Sequence, residues 1–271
     1  MEDIQYSKLA GNHSGAEHRY GPNVHLLSNP FAMSALVRAC SPEAVQPEVN
    51  HLVAMLYDHL LGHVAGTVLQ RHQVSIPTRM APHSKAGTYR GECIDRQQRV
   101  VVVDIARAGI LPSHRFYEGL HHIIDASSIR QDHVVASRMT NNDGQVTGVT
   151  LDGSKIGGSI EAATVIFPDP MAATGASLAG VIEHYKNAVT GTPSNLVAVH
   201  LIVTPEYLRR MTAQFPALQI FAIRLDRGLS NPDVLQTIPG THWEQEVGLN
   251  ETQYIVPGAG GVGEVLNNAW I

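Results

Sequence analysis

The sequence predicts an α/β fold, a twisted parallel sheet flanked by helices, and three observations carry that prediction. Four short apolar runs rich in β-branched residues, Val100–Val103, Thr164–Phe167, Leu196–Val203 and Leu218–Leu225, lack polar alternation. Runs of that kind mark strands buried on both faces. The first three are each followed by a turn and a helical stretch, and strand–turn–helix repeats give parallel strands with right-handed crossovers. The chain has 271 residues and is 44% apolar, enough to bury a sizeable core.

Taken in order, residues 1–25 are polar and rich in Gly, His and Ser, which predicts a loose N-terminal arm. Residues 26–271 read as a single domain. Two helical patterns follow the arm. The second, Glu48 to Gln70, places Val49, Leu52, Val53, Leu56, Leu60, Val64 and Val68 at helical spacing, so one face is buried. Pro77, Pro82, Gly87 and Gly91 mark a linker or turn region. The strand at Val100–Val103 runs into the turn Ala106–Gly109 and a helix toward His121. Asn142-Asp143-Gly144 and Asp152-Gly153 are turn signals, read either as a mobile lid or as an ordinary surface hairpin. The strand at Thr164–Phe167 leads through Asp169–Ser177 into a helix ending near Asn187. After Val203, Pro205 opens a helix to about Gln214.

Composition excludes several classes. Net charge is −5, so no broad basic face for nucleic acid is expected. No stretch of 18 apolar residues suggests a membrane span, and the acidic start Met1-Glu2-Asp3 does not resemble a signal peptide. Cys40 and Cys93 are the only cysteines, so the expected setting is a reducing, cytoplasmic one. The 15 histidines show no His-Glu-x-x-His pattern and are read as surface and packing residues, with no protein-held metal site. Charged residues are only 16%, which points to some surface being covered, as by a second subunit.

In a parallel sheet ligands sit at the carboxyl ends of the strands. The most informative segment there is Asp169-Pro170-Met171-Ala172-Ala173-Thr174-Gly175-Ala176-Ser177. An apolar strand ends at an acid, small residues turn, and a helix begins. Thr174 and Ser177 offer hydroxyls, Gly175 permits close approach, and the helix N-terminus presents unpaired N–H groups, which together suit a phosphate. A well-capped structural turn is the other reading. No Gly-Lys-Ser or Gly-Lys-Thr occurs, so this is not a Walker A loop.

This segment resembles the phosphoribosyl-pyrophosphate (PRPP) loop of the uracil phosphoribosyltransferases, Asp-Pro-Met-Leu-Ala-Thr-Gly-Gly-Ser. Arg107-Ala108-Gly109 is similar to the family's Arg-Ala-Gly, and Gly248-Leu249-Asn250-Glu251 with Tyr254-Ile255-Val256-Pro257-Gly258 to its base-binding segment. The resemblance runs from about Asn23 to Leu266. It implies a type I phosphoribosyltransferase fold with N-terminal helices and a C-terminal hood over the base and, together with the low charge fraction, a homodimer or higher homo-oligomer. It also implies transfer from PRPP to uracil, giving UMP and pyrophosphate in pyrimidine salvage, with Mg2+ bound mainly through PRPP. Asp169 would face the ribose hydroxyls and Ala172–Ser177 the 5-phosphate. Arg107 would neutralise the departing pyrophosphate, as an always-charged guanidinium can. Arg138 and Lys155 correspond to cations near the pyrophosphate and lid. Tyr254, Ile255, Gly260, Gly261 and Val262 correspond to the base site, where backbone groups read the uracil edge.

The sequence also departs from the family. Where the family has Gly-Asp-x-Gly-Asp-Arg, this chain has Gly260-Gly261-Val262-Gly263-Glu264-Val265; after Arg138 an acidic run is replaced by Met139-Thr140-Asn141-Asn142; and the chain continues to Trp270-Ile271. These differences leave two alternatives to uracil transfer: another base, or a non-catalytic sensor of PRPP or a nucleotide. They also suggest that Gly261→Asp would raise activity toward uracil, provided a Cβ fits. The glycines at 258–263 formally match Gly-x-Gly-x-x-Gly, but too few residues follow for a dinucleotide-binding unit.

Overall fold

The structure is a computed structural model that describes residues 15–140 and 146–269; for 137–140 and 146–149 it describes the backbone alone. The turn signal at Asn142–Gly144 and the end at Trp270-Ile271 lie outside the described residues. The elements are β1 (Val24–Leu26), α1 (Pro30–Ala39), α2 (Glu48–Val68), β2 (Arg71–Pro77), β3 (Thr88–Ile94), β4 (Val100–Ala106), α3 (Ile110–Leu120), β5 (Ile129–Thr140), β6 (Val146–Lys155), β7 (Thr164–Pro168), β8 (Met171–Ala172), α4 (Ala176–Ala188), β9 (Asn195–Val203), α5 (Pro205–Gln214), β10 (Gln219–Leu225), α6 (Pro232–Leu235) and, after a 3-10 turn at Trp243–Gln245, α7 (Val262–Asn267).

The main sheet runs β1-β10-β9-β7-β4-β5-β6, with β8 added to β9. Every pairing in it is parallel except β5 with β6. This is the predicted twisted parallel sheet. The four apolar runs are β4, β7, β9 and β10, and their continuity has the predicted cause. Val100 and Val102 pack with the helices α1, α2 and α3 on one face. Val101 and Val103 pack with α4 and α5 on the other. The spacing read in Glu48–Gln70 forms α2, whose Val49, Val53, Leu56, Leu60 and Val64 are all buried.

Two regions differ from expectation. The described part of the expected N-terminal arm is built into the fold. Strand β1 pairs with β10, and Ala16 N–H donates to Leu26 O at 2.8 Å. Tyr20 is buried against Trp243 with ring centroids 5.0 Å apart, and its hydroxyl donates to Glu246. A single aromatic in a polar stretch has no periodic signal. The expected linker around Pro77–Gly91 is a hairpin, β2 with β3. Most of its residues are at least partly exposed, so apolar alternation is lacking.

Candidate active site

Parallel strands deliver their following turns to one edge. There β4 ends at Ala106, β7 at Pro168, β9 at Val203 and β10 at Leu225. Strands β4 and β7 are direct neighbours, so the Arg107 turn and the Asp169 turn are adjacent. The backbones approach closely: a Cβ on Gly109 would lie 3.2 Å from Pro168 O and 2.7 Å from Ile105 O. The glycine of Arg107-Ala108-Gly109 is required by that approach.

The phosphate turn is held from behind by β9 and α5. Asp169 N–H donates to Val199 O at 3.0 Å, and Leu201 N–H and Ile202 N–H both reach Pro170 O at 3.1 Å. Met171 and Ala172 form β8 beside Ile202 and Val203. Thr204 Oγ1 donates to Ala173 O at 2.6 Å while accepting from Tyr207 N–H at 3.0 Å, so the N-cap of α5 also fixes the loop. Thr174 Oγ1 accepts from Ala176 N–H at 3.3 Å. Gly175 stands at the N-cap of α4 with φ 77°. Ala176 and Ser177 open the helix, where first-turn N–H groups have no partner in the helix's own ladder. A phosphate placed there meets backbone donors and the positive end of a 13-residue helix.

Beneath Asp169 lies a buried polar relay that sequence reading missed. His200, on β9 and 1% exposed, has Nδ1 at 2.6 Å from Asp169 O and Nε2 at 2.6 Å from the Tyr207 hydroxyl. A carbonyl only accepts, so Nδ1 carries the proton and Nε2 accepts from Tyr207. Burial pushes the imidazole down to about 4, partly offset by the bond to Asp169, so the ring is neutral near pH 7. Burial, followed by the charge of Asp169, raises the hydroxyls of Tyr57 and Tyr207.

The expected cations are placed unequally. Arg107 is exposed at the β4 turn, and its Nη1 donates to Ala269 O at 3.3 Å. The side chain of Arg138 lies outside the described residues. Its strand β5 pairs with β4 only as far as Val135, so residues 136–140 overhang the site edge by ~17 Å at strand rise. That overhang, with β6, is where a lid would be. Lys155 is paired with His133 at the root of this hairpin, level with Asp104 and three residues short of Arg107. It lies two strands from β4, so the structure does not bring Lys155 to the phosphate turn.

The base segment closes over the same edge. Leu249 bridges to Ile255, Val256 N–H donates to Gly248 O at 2.8 Å, and Asn250 N–H to Tyr254 O at 3.0 Å. Tyr254 is half exposed and Ile255 is buried. Gly260 has φ 66°, Val262 N–H returns to Gly260 O at 3.1 Å, and Gly261 is the N-cap of α7. Gly263 faces the Arg107 turn, where a Cβ in its place would come to 3.6 Å from Ala108 Cβ, and Arg107 Nη1 reaches Ala269 O beyond the end of α7. Gly261 has φ −79°, which admits a Cβ, but that Cβ would run into the Glu264 carboxylate. That carboxylate is the far end of a flexible side chain and can swing aside, but an Asp at this position would then set two acids side by side.

Sequence reading also missed Glu206, Arg224 and Asp226, which hold the base segment. Glu206 Oε1 accepts from Gly248 N–H at 2.9 Å and Leu249 N–H at 3.2 Å. Asp226 Oδ2 accepts from Gly258 N–H at 2.8 Å and pairs with Arg224 through 2.6 and 2.8 Å contacts. A signal existed: Asp226 follows a buried strand as Asp169 does, and Thr204-Pro205-Glu206 reads as a helix start with its acid. Among the described residues no group of three His, Cys, Asp or Glu could hold a metal ion, and no helix is long and apolar enough to cross a membrane.

A family model described as uracil phosphoribosyltransferase matches residues 38–242, well over half of the chain. A uracil phosphoribosyltransferase of Thermococcus sibiricus is 35% identical over 101 residues, 37% of this chain. That match spans only 34% of the relative's own length. One from Pyrobaculum islandicum is 29% identical over 205 residues, 75% of this chain and 82% of that protein. Among solved structures, the AQ2163 protein of Aquifex aeolicus shares the fold, with a TM-score of 0.65 over 90% of this chain and 97% of that one at 21% identity.

Proposed function

The chain belongs to the uracil phosphoribosyltransferase family, and we propose that it transfers the phosphoribosyl group of PRPP to uracil, releasing UMP and pyrophosphate. The observation that carries this reading is the convergence of three segments on one sheet edge. The phosphate turn 169–177 lies beside the Arg107 turn, and the C-terminal segment comes to that turn with Gly263 facing Ala108 and Ala269 O accepting from Arg107. In this arrangement the N-terminal turn of α4 holds the 5-phosphate. Asp169 faces the ribose, where its carboxylate offsets positive charge growing at the anomeric carbon. Arg107 leaves the Ala269 carbonyl to meet the pyrophosphate. Uracil N1 attacks the anomeric carbon as the C–O bond to pyrophosphate breaks. Catalysis then comes from positioning and charge stabilisation, without a covalent intermediate on the protein.

The donor set suits magnesium held through substrate. Asp169 supplies a carboxylate at the turn, and no three-residue cage gathers among the described residues. Mg2+ retains oxygen ligands from substrate and water, so PRPP would bind most of it with Asp169 nearby, and the ion would offset charge on the pyrophosphate. We also place the protein in the cytoplasm, as a homo-oligomer serving pyrimidine salvage. The β2–β3 hairpin supports the oligomer. A two-stranded hairpin is marginal alone, and this one borders a largely apolar groove of about 730 Å³ that includes Val74, Ile76, Tyr89 and Ile123.

The test is a panel of bases with PRPP, followed by mass spectrometry of the products. Uracil is expected to give UMP, and Asp169→Asn is expected to fold but lose most turnover, because an amide cannot offset the ribose charge. Turnover of another base in place of uracil would leave only the phosphoribosyl half of the reading. PRPP binding with no turnover of any base would make the protein a sensor.

A further inference from the structure

We propose that Glu206 and Asp226 are positioning residues for the base: two carboxylates beneath the site that set the backbone by which uracil is read. This rests on the base assignment above. The segment from Gly248 to Gly260 contains positive φ at Gln253 (64°), Gly258 (61°) and Gly260 (66°). Such a backbone forms no regular ladder, so something outside it must fix its amides.

Glu206 fixes one end. Its Oε1 takes two successive N–H groups, Gly248 and Leu249. Gly248 has to be glycine, since a Cβ would run into Asp226 O and lie 3.1 Å from both Thr204 Cβ and Pro205 Cδ. Asp226 fixes the other end. Its Oδ2 takes Gly258 N–H, while Arg224 Nη2 donates to Gly258 O at 3.0 Å. Both polar backbone groups of Gly258 are therefore engaged by one ion pair. Between the ends, Val256 N–H to Gly248 O, Gly228 N–H to Val256 O at 3.0 Å and the Leu249–Ile255 bridge transmit the hold to Ile255.

A second observation concerns Glu206. Its Oε2 is buried without a hydrogen-bond partner. Keeping a carboxylate half-satisfied costs stability, offset in part by its place in the first turn of α5. A neutral apolar side chain would avoid that cost but could not accept two amides. The same turn separates two tasks: Thr204 holds Ala173 of the phosphate loop, and Glu206 holds the base segment. Loss of Glu206 should therefore weaken the base side and spare the phosphate side.

The experiment measures KM for uracil and PRPP separately, with amide hydrogen exchange on the full-length protein. Glu206→Ala is expected to raise KM for uracil roughly tenfold or more, from loss of two charge-assisted bonds, with KM for PRPP within about twofold. Glu206→Gln, whose amide oxygen still accepts, is expected to recover most of the loss. Asp226→Asn is the second variant, should Glu206→Ala fail to fold. Its amide loses the charge that pairs with Arg224 and sets an NH2 group where Oδ1 accepts from Arg224 Nε, so it too should raise KM for uracil selectively. Gly248 and Leu249 amides should exchange faster in Glu206→Ala, and Gly258 in Asp226→Asn. Equal rises in both KM values, or unchanged exchange, would overturn the inference. If the unmodified protein turns over a different base, the uracil assignment fails while the same split, read with that base, still decides this inference; if it turns over none, exchange alone decides.

Discussion

Lowering pH through the window of His200 should unload a defined part of the protein's stability. His200 is buried and neutral, with its proton on Nδ1 facing Asp169 O and Nε2 accepting from Tyr207. Burial lowers it from 6.5 to about 4. Between those values the unfolded chain binds a proton that the folded chain refuses, so stability rises with pH there and falls as pH drops. The contribution is fully present above about pH 6.5 and gone below about pH 4. At 1.36 kcal/mol per unit, the shift corresponds to roughly 3 kcal/mol. Urea unfolding at half-unit steps from pH 7.5 to pH 4 measures it. His200→Gln, which keeps a polar side chain but does not titrate, should be less stable at pH 7 and lose about that much less stability between pH 7.5 and pH 4. Other histidines and carboxylates contribute equally to both proteins, so the difference isolates His200. Parallel slopes would refute the buried, neutral assignment.

Gly175→Val combines a left-handed φ, costing about 1–2 kcal/mol for a residue with a Cβ, with overpacking against Met211 Sδ at 3.0 Å and Tyr207 Cδ2 at 3.1 Å, roughly 1–3 kcal/mol more; calorimetry should show lower stability, and titration weaker PRPP binding. Arg107→Ala should weaken pyrophosphate binding about ten- to a hundredfold, the worth of a hydrogen bond to a charged group, and UMP binding far less; equal losses in calorimetric titrations would assign Arg107 a structural role. Gly261→Asp should lower uracil turnover, the reverse of the expectation from sequence, because two carboxylates would then crowd one turn once Glu264 swings aside. Adding Glu264→Ala should relieve the loss, and a gain in the single variant would refute the crowding.

Much of the fold was legible because burial on both faces leaves a local trace. Val100–Val103 alternate between two helix layers, so every residue in the run had to be apolar. The helix at Glu48–Val68 buries one stripe, and its spacing shows it. The β2–β3 hairpin left no trace because Arg71–Pro77 is mostly exposed. The packing of residues 15–27 was invisible for another reason. It depends on Tyr20 meeting Glu246, 226 positions away, and Glu246 in turn pairing with Arg227 at 2.9 Å. No window of sequence contains such a contact.

The site divides along the same line. The phosphate turn is local: strand, acid, glycine and helix start are contiguous from Thr164 to Ser177, so its geometry could be read directly. The segment proposed to read the base is not held locally. Much of the segment proposed to read the base was visible only as glycines, and the φ of 61° at Gly258 belongs to a backbone whose N–H and C=O are held by Asp226 and Arg224. Arg224 and Asp226 lie over thirty positions upstream of Gly258, and Glu206 over forty upstream of Gly248. Gly261 shows the consequence most plainly. Compared position by position, it reads as a missing carboxylate. In three dimensions Glu264 folds back from the first turn of α7 into the space that the glycine leaves. A loop built from backbone groups can therefore keep a negative charge at its edge while the residue supplying it moves three positions along the chain.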